Sequence, residues 1–199
     1  MPAALFLILA ATLYRLLPPW LHVDHDWMQN FSPLASLVLC GSVFFSKRTA
    51  SWVPLTILFV SDVILNAFVY SAPLMSWEIL PRYAVFAGIC LLAFRNRTIL
   101  QKNLPALLGS SICASVIFYL ATNTASWAGE PGYAKNLAGW WQSLTVGLPG
   151  FPPTSQFFRN SVTSDLLFTT IFWGSMVVSV KKLSPVREPW AKSLATSEN

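Results

Sequence analysis

Apolar residues fill this chain in six runs separated by shorter polar connections: Pro2–Leu17, Pro33–Ser46, Trp52–Ser71, Ile79–Phe94, Leu104–Ala121 and Ser161–Val180. The runs are continuous, not alternating, and most approach the ~17–25 residues a helix needs to cross a bilayer. A helix satisfies its own backbone in an apolar medium, which an open strand cannot do. The pattern predicts an all-α polytopic membrane bundle of about six transmembrane helices. Pro33–Ser46 is short; it either borrows Phe31 and Ser32 or sits where the bilayer thins.

The connection from Thr122 to Arg159 breaks the pattern. Tyr133, Leu137, Trp140, Trp141 and Leu144 recur at helical spacing, with Lys135, Asn136 and Gln142 elsewhere on the wheel. This predicts a short amphipathic interfacial helix in the loop between helices five and six. Leu148-Pro149-Gly150-Phe151-Pro152-Pro153 ends it, since proline cannot continue a helix. A long connection with its own structure is a candidate lid. Residues 1–184 read as a single transmembrane domain and 185–199 as a mobile polar tail.

Composition agrees with this reading. Charged residues make up 11% of the chain, hydrophobic residues 54%, and mean hydropathy is +0.54. A soluble domain carries about 25% charged residues, so the polar surface needed to face water all round is missing. The net charge of +5 does not indicate a nucleic-acid partner, because the basic residues sit at segment ends. With the N-terminus inside, the inner side collects Lys47, Arg48, Arg95, Arg97, Lys102, Lys181, Lys182, Arg187 and Lys192. The outer side keeps Arg15, Arg82, Lys135 and Arg159 beside Asp24, Asp26, Glu78 and Glu130. This asymmetry places both termini in the cytoplasm. Met1–Leu17 lacks a basic start and a small-residue cleavage site, so it reads as a retained helix. Cys40, Cys90 and Cys113 lie in apolar runs and read as reduced packing residues.

Against this background Asp62 stands out, as a carboxylate in the middle of the third run. Asn66 follows one turn later and Tyr70 another turn on. An ionisable group in a bilayer costs several kcal/mol unless it is paired or faces a cavity, so it is a functional candidate by default. Asp165 repeats the theme in the sixth run. Helix directions put Arg15, Asn30, Asp62, Asn66, Arg82, Asn123, Trp127 and Asp165 near one outer level, as an outward-opening ligand site would require. The same level leaves a second role open: Asp62 pairs with Arg15 or Arg82 and fastens helices together.

Catalysis has no support. Gly-x-Ser-x-Gly, His-Glu-x-x-His and phosphate-cradling glycine loops are all missing from the sequence, so no enzyme activity, metal site or cofactor is expected. His22-Val23-Asp24-His25-Asp26 carries metal-ligand types but reads as a solvated outer loop. Trp127, Trp140 and Trp141 serve either as ligand platforms or as interfacial anchors, and Arg95 and Arg97 as contacts to inner headgroups. Ser61-Asp62-Val63-Ile64-Leu65 faintly echoes Ser164-Asp165-Leu166-Leu167-Phe168, as inverted halves would.

Several ordered motifs carry a resemblance. Arg15…Pro18, Asn30-Phe31-Ser32-Pro33-Leu34-Ala35, Gly41 and Pro54…Ser61-Asp62, then Asn123…Trp127, Tyr133, Gly139, Leu148-Pro149 and Asp165-Leu166-Leu167-Phe168, resemble an uncharacterised bacterial six-helix membrane family. It covers most of Arg15 to Gly174 and implies a bacterial inner-membrane location. More distantly, the layout is similar to the S components of energy-coupling-factor transporters, which capture vitamins or metal ions from outside beneath loop lids. That likeness implies a small-molecule ligand and a transmembrane coupling protein with ATPases as partners. One departure is the first helix, where Ala3, Ala4, Ala10 and Ala11 give no pair four residues apart, the spacing S components often use for docking.

Two functions follow as expectations. One is capture or transport of a small solute at the outer polar level. The other is a membrane scaffold or assembly factor in which the aspartates serve helix packing.

Overall fold

A computed structural model describes residues 2–20, 30–46, 49–50, 52–69, 71 and 79–183. Among them there are helices and no strands: α1 Pro2–Trp20, α2 Leu34–Phe44, α3 Val53–Phe68, α4 Ile79–Arg95, α5 Arg97–Lys102, α6 Leu104–Gly129, α7 Leu137–Leu144 and α8 Thr154–Leu183. The six apolar runs fall on α1, α2, α3, α4, α6 and α8. Helix α7 is the short helix expected between the last two runs, and α5 is a short turn that the hydrophobic pattern does not reveal. By length and composition, Leu104–Gly129 and Thr154–Ser179 can cross a membrane; Phe6–Leu17, Leu34–Phe44 and Val53–Phe68 are apolar but shorter.

Two helices outrun their apolar stretches. On α6, the hydroxyl of Thr122 donates to the carbonyl of Phe118 and the amide of Asn123 to that of Tyr119, both at 2.8 Å. Past Ala121 these polar side chains bond back onto their own helix, which satisfies them without a partner from another element. Its other end starts at Asn103, whose side chain accepts from the backbone N–H of Ala106 at 2.9 Å, with Pro105 just inside. On α8, the residues from Thr154 to Asn160 are helical, but polar residues flank Phe157 and Phe158 there, so an apolar run locates only the later turns.

Helix α2 is the hub. Every residue from Ala35 to Phe44 is buried, and it packs against α1, α3, α4, α5, α6 and α8. At ~1.5 Å per residue it falls well short of a ~30 Å hydrocarbon core. Its surroundings are protein. Close approach to α3 depends on Gly41: a Cβ there would run into the Pro54 ring and meet the Ile8 side chain at 3.2 Å.

Side chains from distant parts of the chain cap both ends of this hub. Pro33, at its N-cap, offers no side-chain acceptor, and the carboxylate of Asp165 on α8 takes the Ser36 backbone N–H at 2.8 Å instead. At the C-terminal end, the amide of Gln101 donates to the Val43 carbonyl and Arg97 to that of Phe45, both at 2.7 Å. An acceptor oxygen at the start and donors at the end complement the orphan backbone groups. Arg97, expected at inner headgroups, therefore binds protein. Around the hub, Ile8, Val38, Leu58, Phe86 and Leu107 are fully buried, and Phe86 stacks on Phe118 at 4.9 Å. Cys40 and Cys90 are buried and Cys113 is exposed, and none of the three is in a disulfide among the described residues.

Candidate functional site

The candidate residues separate into groups. The first joins α1, α3 and α4 around Asp62. Arg15 bonds through one guanidinium nitrogen to Asp62 and through another to the Ser61 hydroxyl. Tyr83 donates its phenol to the other Asp62 oxygen at 2.8 Å, and Arg82 approaches that oxygen at 3.5 Å. The Arg15 and Asp62 side chains retain 10% and 12% exposure, whereas Arg82 retains 34%. Arg15 and Asp62 thus form the settled pair, and Arg82 is a looser third member.

Local sequence explains the convergence. Asp62 faces α1 and α4 from the middle of α3, and Ser61 beside it is buried, its own hydroxyl bonded to the Leu58 carbonyl at 2.7 Å. Arg82 and Tyr83 are consecutive in the first turns of α4 and both reach the same oxygen of the carboxylate. Phe59 and Phe86 pack edge-on against the Tyr83 ring at 6.1 and 5.9 Å, holding its phenol in place. Formal charges sum to +1 over Arg15, Arg82 and Asp62, and the first turn of α4 contains no acidic residue.

The second group is centred on Asp165, 2% exposed between α2, α6 and α8. One carboxylate oxygen takes the Ser36 N–H and the other takes the Ser115 hydroxyl at 2.8 Å. One turn further along, the hydroxyl of Thr169 meets that of Ser111 at 3.1 Å. Asp165 has only neutral donors, and its work is to join α8 and α6 to the start of α2.

The remaining candidates lie apart from both aspartates. The Asn30 amide donates to the Ser161 hydroxyl at 3.0 Å, tying the approach to α2 to α8. Asn123 bonds to its own helix. Trp127 donates its indole N–H to the Ala134 carbonyl at 2.9 Å and so folds the following turn onto the end of α6. Asn66 is half-buried one turn along from Asp62. Tyr70 and the 22–26 segment lie outside the described residues. Reading levels along the chain found Arg15, Asp62 and Arg82 together but missed Tyr83, Ser36 and Ser115. The adjacency of Tyr83 to Arg82 was the one available signal; the serines had none.

The expected lid has a definite structure. Asn136 caps α7 by accepting from Gly139 N–H at 2.9 Å, Trp140 donates to the Thr124 hydroxyl at 2.9 Å, and Tyr119 donates to the Leu144 carbonyl. Gly147 and Gly150, at φ +73° and +90°, make the turns before α8 that other residues resist. Helix α7 packs on α6 and α8, whereas the Asp62 group lies on α1, α3 and α4. A separate cavity of about 250 Å³ opens between α1, α2 and α8, lined by Leu7, Ala11, Tyr14, Ser36, Phe168 and Phe172 among others. It is apolar and touches neither aspartate side chain.

The sequence matches the profile of a family of unknown function, DUF6580, over residues 1–187. No curated protein and no solved structure matches the chain.

Proposed function

The chain belongs to DUF6580, a family of unknown function, and from its own residues we propose that it is an integral membrane protein, a bundle of about six transmembrane helices that captures or transports a small solute at its outer end. The membrane assignment draws on where the apolar side chains point. In α6 and α8 the membrane-length windows are only 22% and 28% buried, and Ile112, Ile117, Leu167, Ile171 and Val178 are exposed. A soluble core helix buries such residues, and a soluble surface does not expose so large an apolar area. Lipid is the fitting solvent. The basic residues at alternate segment ends then orient both termini to the cytoplasm of a bacterial inner membrane.

One observation carries the capture reading: Arg82. A purely structural ion pair is complete with Arg15 and Asp62, yet a second guanidinium from α4 leans on the same carboxylate at long range and stays partly exposed. Such a group is free to exchange an internal partner for an external one. The test is a thermal-shift screen of the purified protein against vitamins, metabolites and metal ions, repeated on Asp62→Asn. A solute that raises the melting temperature of the wild type but not of the variant supports capture. A screen in which nothing shifts the melt sinks it.

The burial of Asp165 among helix-capping bonds favours a second reading, a scaffold in which both aspartates serve packing. On that reading Asp62→Asn lowers folded yield and no solute response exists to lose. The resemblance to energy-coupling S components supplies the partner expectation for the capture reading, a transmembrane coupling protein with ATPases.

A further inference from the structure

We infer that the Arg15–Asp62–Arg82–Tyr83 cluster is an oxyanion site, and that the captured ligand presents a carboxylate or phosphate group to Arg82. The inference rests on the capture reading and gives it a substrate class. Three features of the cluster point the same way.

The first is charge. Two guanidinium groups meet one carboxylate, which leaves one positive charge unmatched among the described residues. In a weakly polar setting an unmatched charge is far more costly than in water. The second is position. Arg82 sits in the opening turns of α4, the end where backbone N–H groups and the helix dipole already concentrate positive potential, and among the described residues no acid shares that first turn, Glu78 just before it lying outside them. A cation is poorly placed there unless an anion joins it.

The third is donor geometry. The Asp62 oxygens are already taken by Arg15 and by Tyr83 at 2.8 Å, so the 3.5 Å approach of Arg82 adds little. Its remaining N–H donors form a planar fork suited to two oxygens of one carboxylate or phosphate. The anion can arrive while Arg15, Asp62 and Tyr83 keep their places. Asp62 then has a second effect, since its charge repels an anion that comes too close and confines the ligand to the Arg82 side. A free metabolite and an anionic lipid headgroup offer the same oxygens, so the experiment must separate them.

The experiment uses the full chain in nanodiscs of phosphatidylcholine, with melting temperature as the readout. Succinate and inorganic phosphate are titrated, with succinamide as the uncharged counterpart and sodium chloride at matched ionic strength. A saturable rise with succinate or phosphate, absent with succinamide and chloride, is the expected result. Arg82→Gln weakens half-saturation by roughly tenfold or more, as loss of a charge-assisted bidentate contact does, and Arg82→Lys loses less. Stabilisation by phosphatidylglycerol nanodiscs alone, lost in Arg82→Gln, upholds the oxyanion site but assigns it to lipid and removes solute capture. If uncharged or cationic solutes shift the melt, survive Arg82→Gln and no anion acts, the oxyanion assignment is overturned while capture stands. Silence from every solute and lipid overturns both.

Discussion

Asp62 and Asp165 place the same side chain in two apolar helices, α3 and α8, and the protein neutralises them by different means. Asp165 meets neutral donors only: a backbone N–H from α2 and a hydroxyl from α6, with almost no exposure. Asp62 meets two cations and a phenol at a site that remains partly open. The difference shows that polarity within a buried bundle has two uses. Where the donors are fixed backbone groups, the carboxylate completes a helix end and has nothing left to offer. Where they are long flexible cations in excess, the site is electrically unfinished. The contrast can be broken or sharpened by substitution.

The largest effect is expected at the settled pair. Asp62→Leu leaves Arg15 and Arg82 facing each other without an anion, and breaking a buried pair from one side costs about 3 kcal/mol. Thermal melts in one detergent would measure it. Adding Arg15→Met to Asp62→Leu should recover much of the loss, because the stranded charge goes too. A double variant no better than the single would show that the pair's geometry, and not its charge balance, holds α1 to α3.

Next comes the capping carboxylate. Asp165→Leu strands the Ser36 N–H and leaves the Ser115 hydroxyl only the Ser111 carbonyl on its own helix, at a cost of about 2 kcal/mol. Asp165→Asn keeps one acceptor oxygen and should lose about half of that. Salt separates the two aspartates further. Raising ionic strength screens the partly open Asp62 group but should leave the penalty of Asp165→Leu unchanged. Equal salt responses would erase the distinction between the two aspartates.

These two sites also mark what a chain of this kind discloses. The meeting of Arg15 and Arg82 with Asp62 was legible, because helix direction and apolar run length bring these three together. Azimuth was not legible. Where both the helix neighbours and the surroundings are apolar, a helix carries no amphipathic stripe to tell its inner face from its outer one. Asp165 and Asn123 therefore looked like companions of Asp62 at the same height, although Asp165 turns towards α2 and α6 and Asn123 back onto its own helix. The Asp165 cap spans 129 positions of sequence and serves a helix whose own N-cap, Pro33, cannot do the job. Proline at that point marks the need for a cap, but nothing local names the acceptor. Helix α7 was readable for the converse reason: it has polar and apolar faces, so its periodicity survives.

A smaller effect tests how the cap is built. Ser115→Ala removes one of the two donors to Asp165 while the Ser36 N–H remains, so stability should fall by about 1 kcal/mol. The loss should vanish in an Asp165→Leu background, where the hydroxyl has no carboxylate to serve. If Ser115→Ala costs the same in both backgrounds, its effect comes from the bond to the Ser111 carbonyl on its own helix, and the cap rests on α2 alone.

The smallest stability effect should fall on the residue to which we assign the most function. Arg82 is one-third exposed and stands 3.5 Å from a carboxylate already paired with Arg15. Exposed ion pairs contribute roughly 0–1 kcal/mol, and removal of a surplus cation returns part of even that. Arg82→Gln should therefore melt within about 0.5 kcal/mol of the wild type. The same change at Arg15 should be several times more costly, since it leaves Ser61 and the inner oxygen of Asp62 without their donor. If Arg82→Gln proved as damaging as the Arg15 change, the two guanidinium groups would be equal parts of one structural lock, and Asp62 would resemble Asp165 after all. A protein that keeps its stability without Arg82 holds that cation for something outside its own fold.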